Sequence, residues 1–491
     1  MKTLLKRTGY FLLALVVLYL LLLIPDPAKR VPVVTGGKTP FAWNRDAQWS
    51  QMEERFRNAR RMDTAARSEA IRLQESIAQQ DLILLESGNP GPADSSWKKM
   101  ENDFFQLASL VAADPAYTKR LLDYYNRVRA LVKKRSRDWN IGDPAVRNTI
   151  YMLLYGMRAA TEEVLLQADP QNYSPALYVT DEPSVTPTAS IFGITVHSGD
   201  LLVSRGGAEV SALISRGNDY PGNFSHVALI YVDAQTKQAW LVEAHIEKGV
   251  AVATVAQYEN DKKLRFMVMR PGHDLAMLAT DPLLPQKAAK AMFEEAGKRH
   301  IPYDFKMNFY DSSALFCSEV ASYAYRLYGM QLWKYPSSIS SPGVVNWLSD
   351  FGVEHFITQM PADLEYDPQL SVVAEWRDPE TLFKDHVDNA VMDALLEKAD
   401  AGEQIGYNRW QLPVARVLKA YSMLKNLFGR TGIIPEGMSA TRALKNQYFV
   451  AMHARVKNRT LQKAEIFREK NQYRAPYWQL LQFAREAANE K

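Results

Sequence analysis

Short apolar runs broken by turn-forming residues fill the middle of the chain, at 200–204, 226–232, 239–244, 250–255 and 265–270. Runs this short between Gly, Asp and Asn predict strands, and their close succession predicts a compact antiparallel sheet. The period then changes. At 285–299 and 313–328 the apolar positions recur every three or four residues, which predicts two helices, with Gly329 placed to end the second. Strands followed by helices predict an α+β core.

The flanks carry the helical period. Met52, Phe56, Ala59, Met62 and Ala66 fall at helical spacing among charges, and Ile71, Leu73, Ile77, Leu82 and Leu85 continue the apolar content. After the break at 88–94, Phe104, Phe105, Leu107, Leu110 and Val111 begin a new amphipathic helix, so a helical hairpin or bundle is expected over 45–167. Its charged faces are expected to be solvated surface. Pro, Gly, Val and Thr over 31–44 predict an extended tether, and the Pro-rich stretch 170–190 a loop and first domain boundary. Beyond Asp350 the pattern is helical again, near 379–398, 410–428 and 440–487. The predicted division is an anchor at 1–30, a helical region at 31–185, the α+β domain at 186–350 and a helical C-terminal region at 351–491. No repeat at solenoid spacing interrupts it.

The first residues bear on the compartment. Lys2, Lys6 and Arg7 precede an uncharged apolar run from Thr8 to Ile24, about the shortest that spans a bilayer as a helix. Leu22-Leu23-Ile24-Pro25-Asp26 lacks a small-x-small cleavage pattern, which favours an uncleaved transmembrane anchor over a signal peptide. The basic residues before the run place the N-terminus in the cytoplasm and the remainder in the periplasm or outside, although Lys29 and Arg30 pull the other way. The expected location is the inner (cytoplasmic) membrane, with a single pass. A formal charge of +4 over 491 residues, without a dense Lys/Arg run, argues against nucleic acid as a partner.

One cysteine excludes an internal disulfide. In an oxidising compartment a lone thiol is a liability, and chemistry is one reason to keep it; a buried small hydrophobe is the plain alternative. Cys317 lies in Asp311-Ser312-Ser313-Ala314-Leu315-Phe316-Cys317-Ser318-Glu319, where Ser312 or Ser313 can cap the helix and put the thiol in its first turn. Unpaired amides and the helix dipole there favour a thiolate, lowering a thiol from about 8.5 toward roughly 3.5–7.5 when a basic neighbour helps. His226 opens the strand His226-Val227-Ala228-Leu229-Ile230, and an imidazole at a core strand's end can reach a helix packed on that sheet. Glu243, in Leu241-Val242-Glu243-Ala244-His245, is the preferred partner to orient it, with His245 in reserve.

Gly199-Asp200-Leu201-Leu202, Ser225-His226-Val227, Val242-Glu243-Ala244 followed by Gly249-Val250, Pro302-Tyr303-Asp304-Phe305 and Phe316-Cys317-Ser318-Glu319 resemble, in that order, the circularly permuted papain-like amidases of the NlpC superfamily, the YiiX-like branch. Histidine before cysteine is the permuted order, and the resemblance covers about residues 190 to 350. It implies a permuted papain-like core with Cys317, His226 and Glu243 as the catalytic set. Tyr303, Asp304, Ser225 and Asp200 are expected at the substrate cleft, and the Cys317 amide as an oxyanion donor.

Other motifs carry no chemistry. Gly36-Gly37-Lys38-Thr39 ends like a phosphate loop, but Pro32 stands where its first glycine belongs. No HExxH or CxxC occurs and the histidines are scattered, so neither metal nor cofactor is expected. Ser204 and Ser225 lack a nucleophile elbow. The expected function is a membrane-anchored thiol hydrolase acting on an amide of a cell-envelope peptide. The same triad could serve a lipid hydrolase or acyltransferase, and the fold could also be an inactive tethered scaffold; oligomeric state is left open.

Overall fold

The computed structural model describes residues 2–26, 38–169, 174–428 and 430–490. Residues 31–37 of the tether expected over 31–44 fall outside them, as do Lys29, Arg30 and residues 170–173 of the expected loop, while in the described half Phe41 and Trp43 pack on Tyr151 instead of hanging free. The N-terminal helix α1 (Lys2–Leu22) exposes apolar side chains from Tyr10 to Leu21 all around its circumference. Among the described residues no helix is long and apolar enough to cross a membrane. Lys6 and Arg7 lie inside α1, and its uncharged part runs from Thr8 to Leu22.

Helices α2 (Asp46–Arg61), α3 (Thr64–Ser87), α4 (Ser95–Val111), α5 (Thr118–Arg135), α6 (Pro144–Tyr151) and α7 (Met157–Gln167) form the expected helical region, with a π-turn at Met152–Gly156 before α7. Asp63, Asp94 and Asp143 each accept an amide at a helix start, which sets α3, α4 and α6. Buried Phe104, Tyr124, Val128 and Leu154 join these helices to the main core.

The strands are β1 (Ala176–Tyr178), β2 (Thr188–Ile191), β3 (Ile194–His197), β4 (Leu201–Gly206), β5 (His226–Val232), β6 (Ala239–His245), β7 (Gly249–Thr254) and β8 (Lys263–Pro271), with the two-residue pair β9 (Ser337–Ser338) and β10 (Ile357–Thr358), and β11 (Leu370–Arg377). Seven form one antiparallel sheet in the order β1-β11-β8-β4-β5-β6-β7. Between them run α8 (Glu209–Arg216), α9 (Val255–Asn260), α10 (Ala276–Thr280), α11 (Leu284–Lys298), α12 (Cys317–Arg326), α13 (Pro342–Phe351) and α14 (Asp363–Tyr366). The five expected central strands and the helix at 285–299 are present within a residue or two. β11, however, lies within a stretch expected to be helical, and it inserts between β1 and β8, so the sheet continues past residue 350.

Pleating divides the sheet into two faces. Val203, Val227, Leu229, Val242 and Ala244 face the layer holding Val320, Ala321 and Ala324 of α12 and Ala288 and Met292 of α11. Leu202, Ala228, Ile230, Leu241 and Phe266 face the other way, toward Ile191, Ile194 and Tyr258. Past β11 come α15 (Pro379–Asp400), α16 (Leu412–Leu427), α17 (Ala440–Asn471) and α18 (Tyr477–Asn489).

Candidate active site

The thiol belongs to the first residue of α12. That helix starts four residues later than expected, because the capping is not done by Ser312 or Ser313. Glu319 reaches back to accept the Phe316 amide at 2.7 Å, while Leu315 pairs instead with Pro302 and Tyr303. Cys317 thus stands at the mouth of the helix, but it is 2% exposed. Its Sγ donates to the Ser225 carbonyl at 3.5 Å. Burial pushes the thiol up to about 12, against the pull of the Ser318, Val227 and Cys317 amides. The expected lowering is therefore reversed: desolvation of the anion outweighs the helix terminus.

The imidazole is held from the other side. His226 Nε2 lies 2.7 Å from Glu243 Oε2, and His245 Nε2 lies 3.0 Å from Glu243 Oε1. Register explains the meeting: Ala228 pairs with Glu243, so the start of β5 and the end of β6 run side by side. The sharp β6–β7 turn needs Gly249, at φ +73°, where a Cβ would also strike the Ile301 carbonyl. Burial alone would raise the Glu243 carboxyl, but the two imidazoles hold it well below the usual range. Burial alone would lower His245, and Glu243 raises it instead.

His226 and Glu243 come together as expected, and the reserve residue His245 joins them. Cys317 reaches the backbone on either side of His226, and among the described residues its hydrogen bond goes to Ser225 rather than to an imidazole. Ser204 pairs with His226, so the ring follows the sheet face of Ser204 and Tyr258, while α12 packs on the opposite face. The path between sulfur and ring runs round the first residue of β5.

The remaining expected residues divide. Burial raises the Tyr303 hydroxyl well above its ordinary value, with the neighbouring Cys317 and Glu319 acting in the same sense; its ring packs edge-on to Phe316 at 5.7 Å and to Phe305 at 5.0 Å. Asp304 is buried and accepts the Lys306 and Asn308 amides, bracing the loop under Tyr303. Ser225 contributes its carbonyl, its side chain being buried. Asp200 does not reach the others. Both its oxygens are taken by Arg270 and one also by the His197 amide, and it pairs with Ile230, four residues from His226, or about 13 Å along the strand.

Two features were not foreseen. Glu319 sets the start of α12, and the Phe-Cys-Ser-Glu spacing, with an acid two residues past the cysteine, was the available signal. The histidines that look scattered along the chain converge: ligand atoms of His226, Glu243 and His245 all lie within 4.8 Å of one another. Two imidazoles and a carboxylate suit a borderline cation, although the same atoms here bond to each other.

Residues 195–374 match the family described as permuted papain-like amidase enzyme, YaeF/YiiX, C92 family. That family is one of papain-like cysteine amidases and peptidases, and these residues are similar to it. A solved structure described as the metalloprotein yiiX from Escherichia coli O157:H7 is similar at 21% identity, over 36% of this chain and 95% of that one, with a TM-score of 0.29. A comparison with curated proteins finds no match.

Proposed function

We propose that the protein is a membrane-anchored cysteine hydrolase that cleaves an amide bond of a cell-envelope peptide, with Cys317, His226 and Glu243 as its working set. The observation that carries this reading is the 2.7 Å contact between Glu243 and His226 Nε2, which leaves Nδ1 as the nitrogen to act as base, with the lone thiol seated on the carbonyl of the preceding residue, Ser225. In the reaction the thiol leaves the Ser225 carbonyl and gives its proton to Nδ1 as Sγ attacks the substrate carbonyl. The Cys317 amide donates to the oxyanion, and the imidazolium returns the proton to the departing amine. Water, deprotonated by His226, then releases the acyl group. Tyr303 lines the cleft beside the sulfur.

The apolar circumference of α1 behind its basic first residues supports anchoring at the inner membrane, with the catalytic domain outside the cytoplasm. The test is product analysis on envelope peptides and on phospholipids, using the full chain. Peptide cleavage is expected, abolished in Cys317→Ala and reduced about 10²–10⁴-fold in Glu243→Gln. Activity confined to phospholipid would make it a lipid hydrolase or acyltransferase. No product, with Cys317 labelled by a substrate-like probe no faster than a model thiol, would leave a tethered scaffold.

The convergence of His226, Glu243 and His245 favours a second reading, in which these side chains hold a divalent cation. Elemental analysis decides it: one metal per chain, lost in His245→Ala and retained in Cys317→Ala, would displace His226 from its role as base.

A further inference from the structure

Helix α16 turns a wholly apolar stripe outward. Val414, Val417, Leu418, Tyr421, Leu424 and Phe428 recur at three- and four-residue spacing and are all exposed, Phe428 to 75%. A surface helix normally buries such a stripe. Here the buried side is the narrow one: Leu412 and Ala415 pack on Ala440 and Leu444 of α17, and Ser422 accepts the amides of Ile433 and Ile434. The helix carries Arg416, Lys419 and Lys425 and no acidic residue.

What covers the stripe is indicated by its neighbour. α16 packs against α1, and Arg416 and Arg409 donate to the carbonyls of Leu21, Ile24 and Leu23 where α1 ends. Tyr19 of α1 donates to the Trp410 carbonyl. The exposed apolar surface of α1 and that of α16 are therefore continuous across this junction, with Trp410 and Tyr421, aromatic side chains suited to a bilayer interface, exposed on the α16 side. Arg416 is paired with Asp26 and Lys419 holds two backbone carbonyls, so Lys425 is the cation of the helix that suits an anionic surface. We infer that α16 is a second membrane-binding element, lying in the interface of an anionic phospholipid bilayer beside α1. This inference rests on the reading of α1 as an anchor.

The stripe is also tied to the candidate active site. Lys419 holds the carbonyls of Pro435 and Glu436, and the next residue, Gly437, lies so close to the Phe305 ring that a Cβ would collide with it. Phe305 packs on Tyr303 beside Cys317. One layer of side chains thus connects the lipid-facing helix to the candidate active site.

The experiment uses the full chain in vesicles of phosphatidylethanolamine and phosphatidylglycerol, with an environment-sensitive dye on a single cysteine in a Cys317→Ser background. Leu424→Cys reports α16, Leu15→Cys reports α1 and Lys290→Cys, on α11, reports water. Brominated lipids are expected to quench the dye at 424 at least threefold more than at 290, and aqueous iodide correspondingly less. Quenching at 15 with 424 open to iodide would overturn the proposal while keeping the anchor. Quenching at 424 without quenching at 15 would support α16 and remove the anchor. A dye at 424 shielded from both quenchers, with protection rising with protein concentration, would show a second copy on the stripe and overturn the proposal.

Discussion

Cys317 is pulled in two directions. Its place at the first position of α12 and the amides of Ser318 and Val227 favour the anion, and burial opposes it more strongly, so the resting thiol is pushed up to about 12. A nucleophile in this state is protonated at neutral pH and depends on a base at the moment of attack. The resting protein is therefore expected to react with iodoacetamide slowly at pH 7, with a rate that keeps climbing from pH 9 toward 12, as followed by mass spectrometry. A rate that levels off below pH 7 would mean a standing thiolate–imidazolium pair and a resting site unlike the one described.

At the scale of the element, α12 owes its starting point to Glu319, whose carboxyl is pushed up to about 8 by burial, against the lowering effect of the Phe316 amide. A raised carboxyl binds its proton in the folded chain where the unfolded chain has lost it, between about 4.5 and 8. Stability from this group falls as pH rises through that window and is level outside it. Glu319→Gln keeps an oxygen for the Phe316 amide and removes the titration. Its urea midpoint, compared with wild type from pH 5 to 9, is expected to gain on wild type as pH rises; a constant difference would remove Glu319 as the titrating group. The same scale separates what the sequence makes legible from what it hides. His226, Glu243 and Cys317 stand out because each is a reactive residue in an apolar run, and β4 to β8 because their runs are short and uninterrupted. The late start of α12 depended on a backward-reaching side chain, and two serines nearby offered an equally good cap. β11 was hidden because Glu375 and Arg377 give it the charge content of a surface helix. Both are buried, with Glu375 on Arg129 of α5 and Arg377 on Glu162 of α7, so the strand can be recognised only once its partners are in place.

Those partners belong to a network that binds the helical regions to the sheet. Glu162 of α7 meets Arg265 of β8, Arg377 of β11 and His386 of α15, while Arg158 joins it to Glu365 of α14. Burial would lower the His386 imidazole, but Glu162 and Glu163 raise it to about 9. A raised imidazole contributes stability that is complete below its unfolded value near 6.5 and is lost as pH rises through 9. Lys133 acts in the opposite sense. Burial lowers it to about 7, outweighing the nearby Asp367 and Glu365 charges, so its contribution grows as pH rises from 7 toward its unfolded value near 10.4. The two partly cancel in the wild-type profile, so the contribution of His386 has to be isolated by difference. His386→Gln is expected to be less stable than wild type at pH 6 by an amount that shrinks steadily and vanishes above about pH 10, measured by urea unfolding of the full chain. A difference that persists unchanged at pH 10 would mean that His386 acts through packing and that its charge does not hold the helical regions to the sheet.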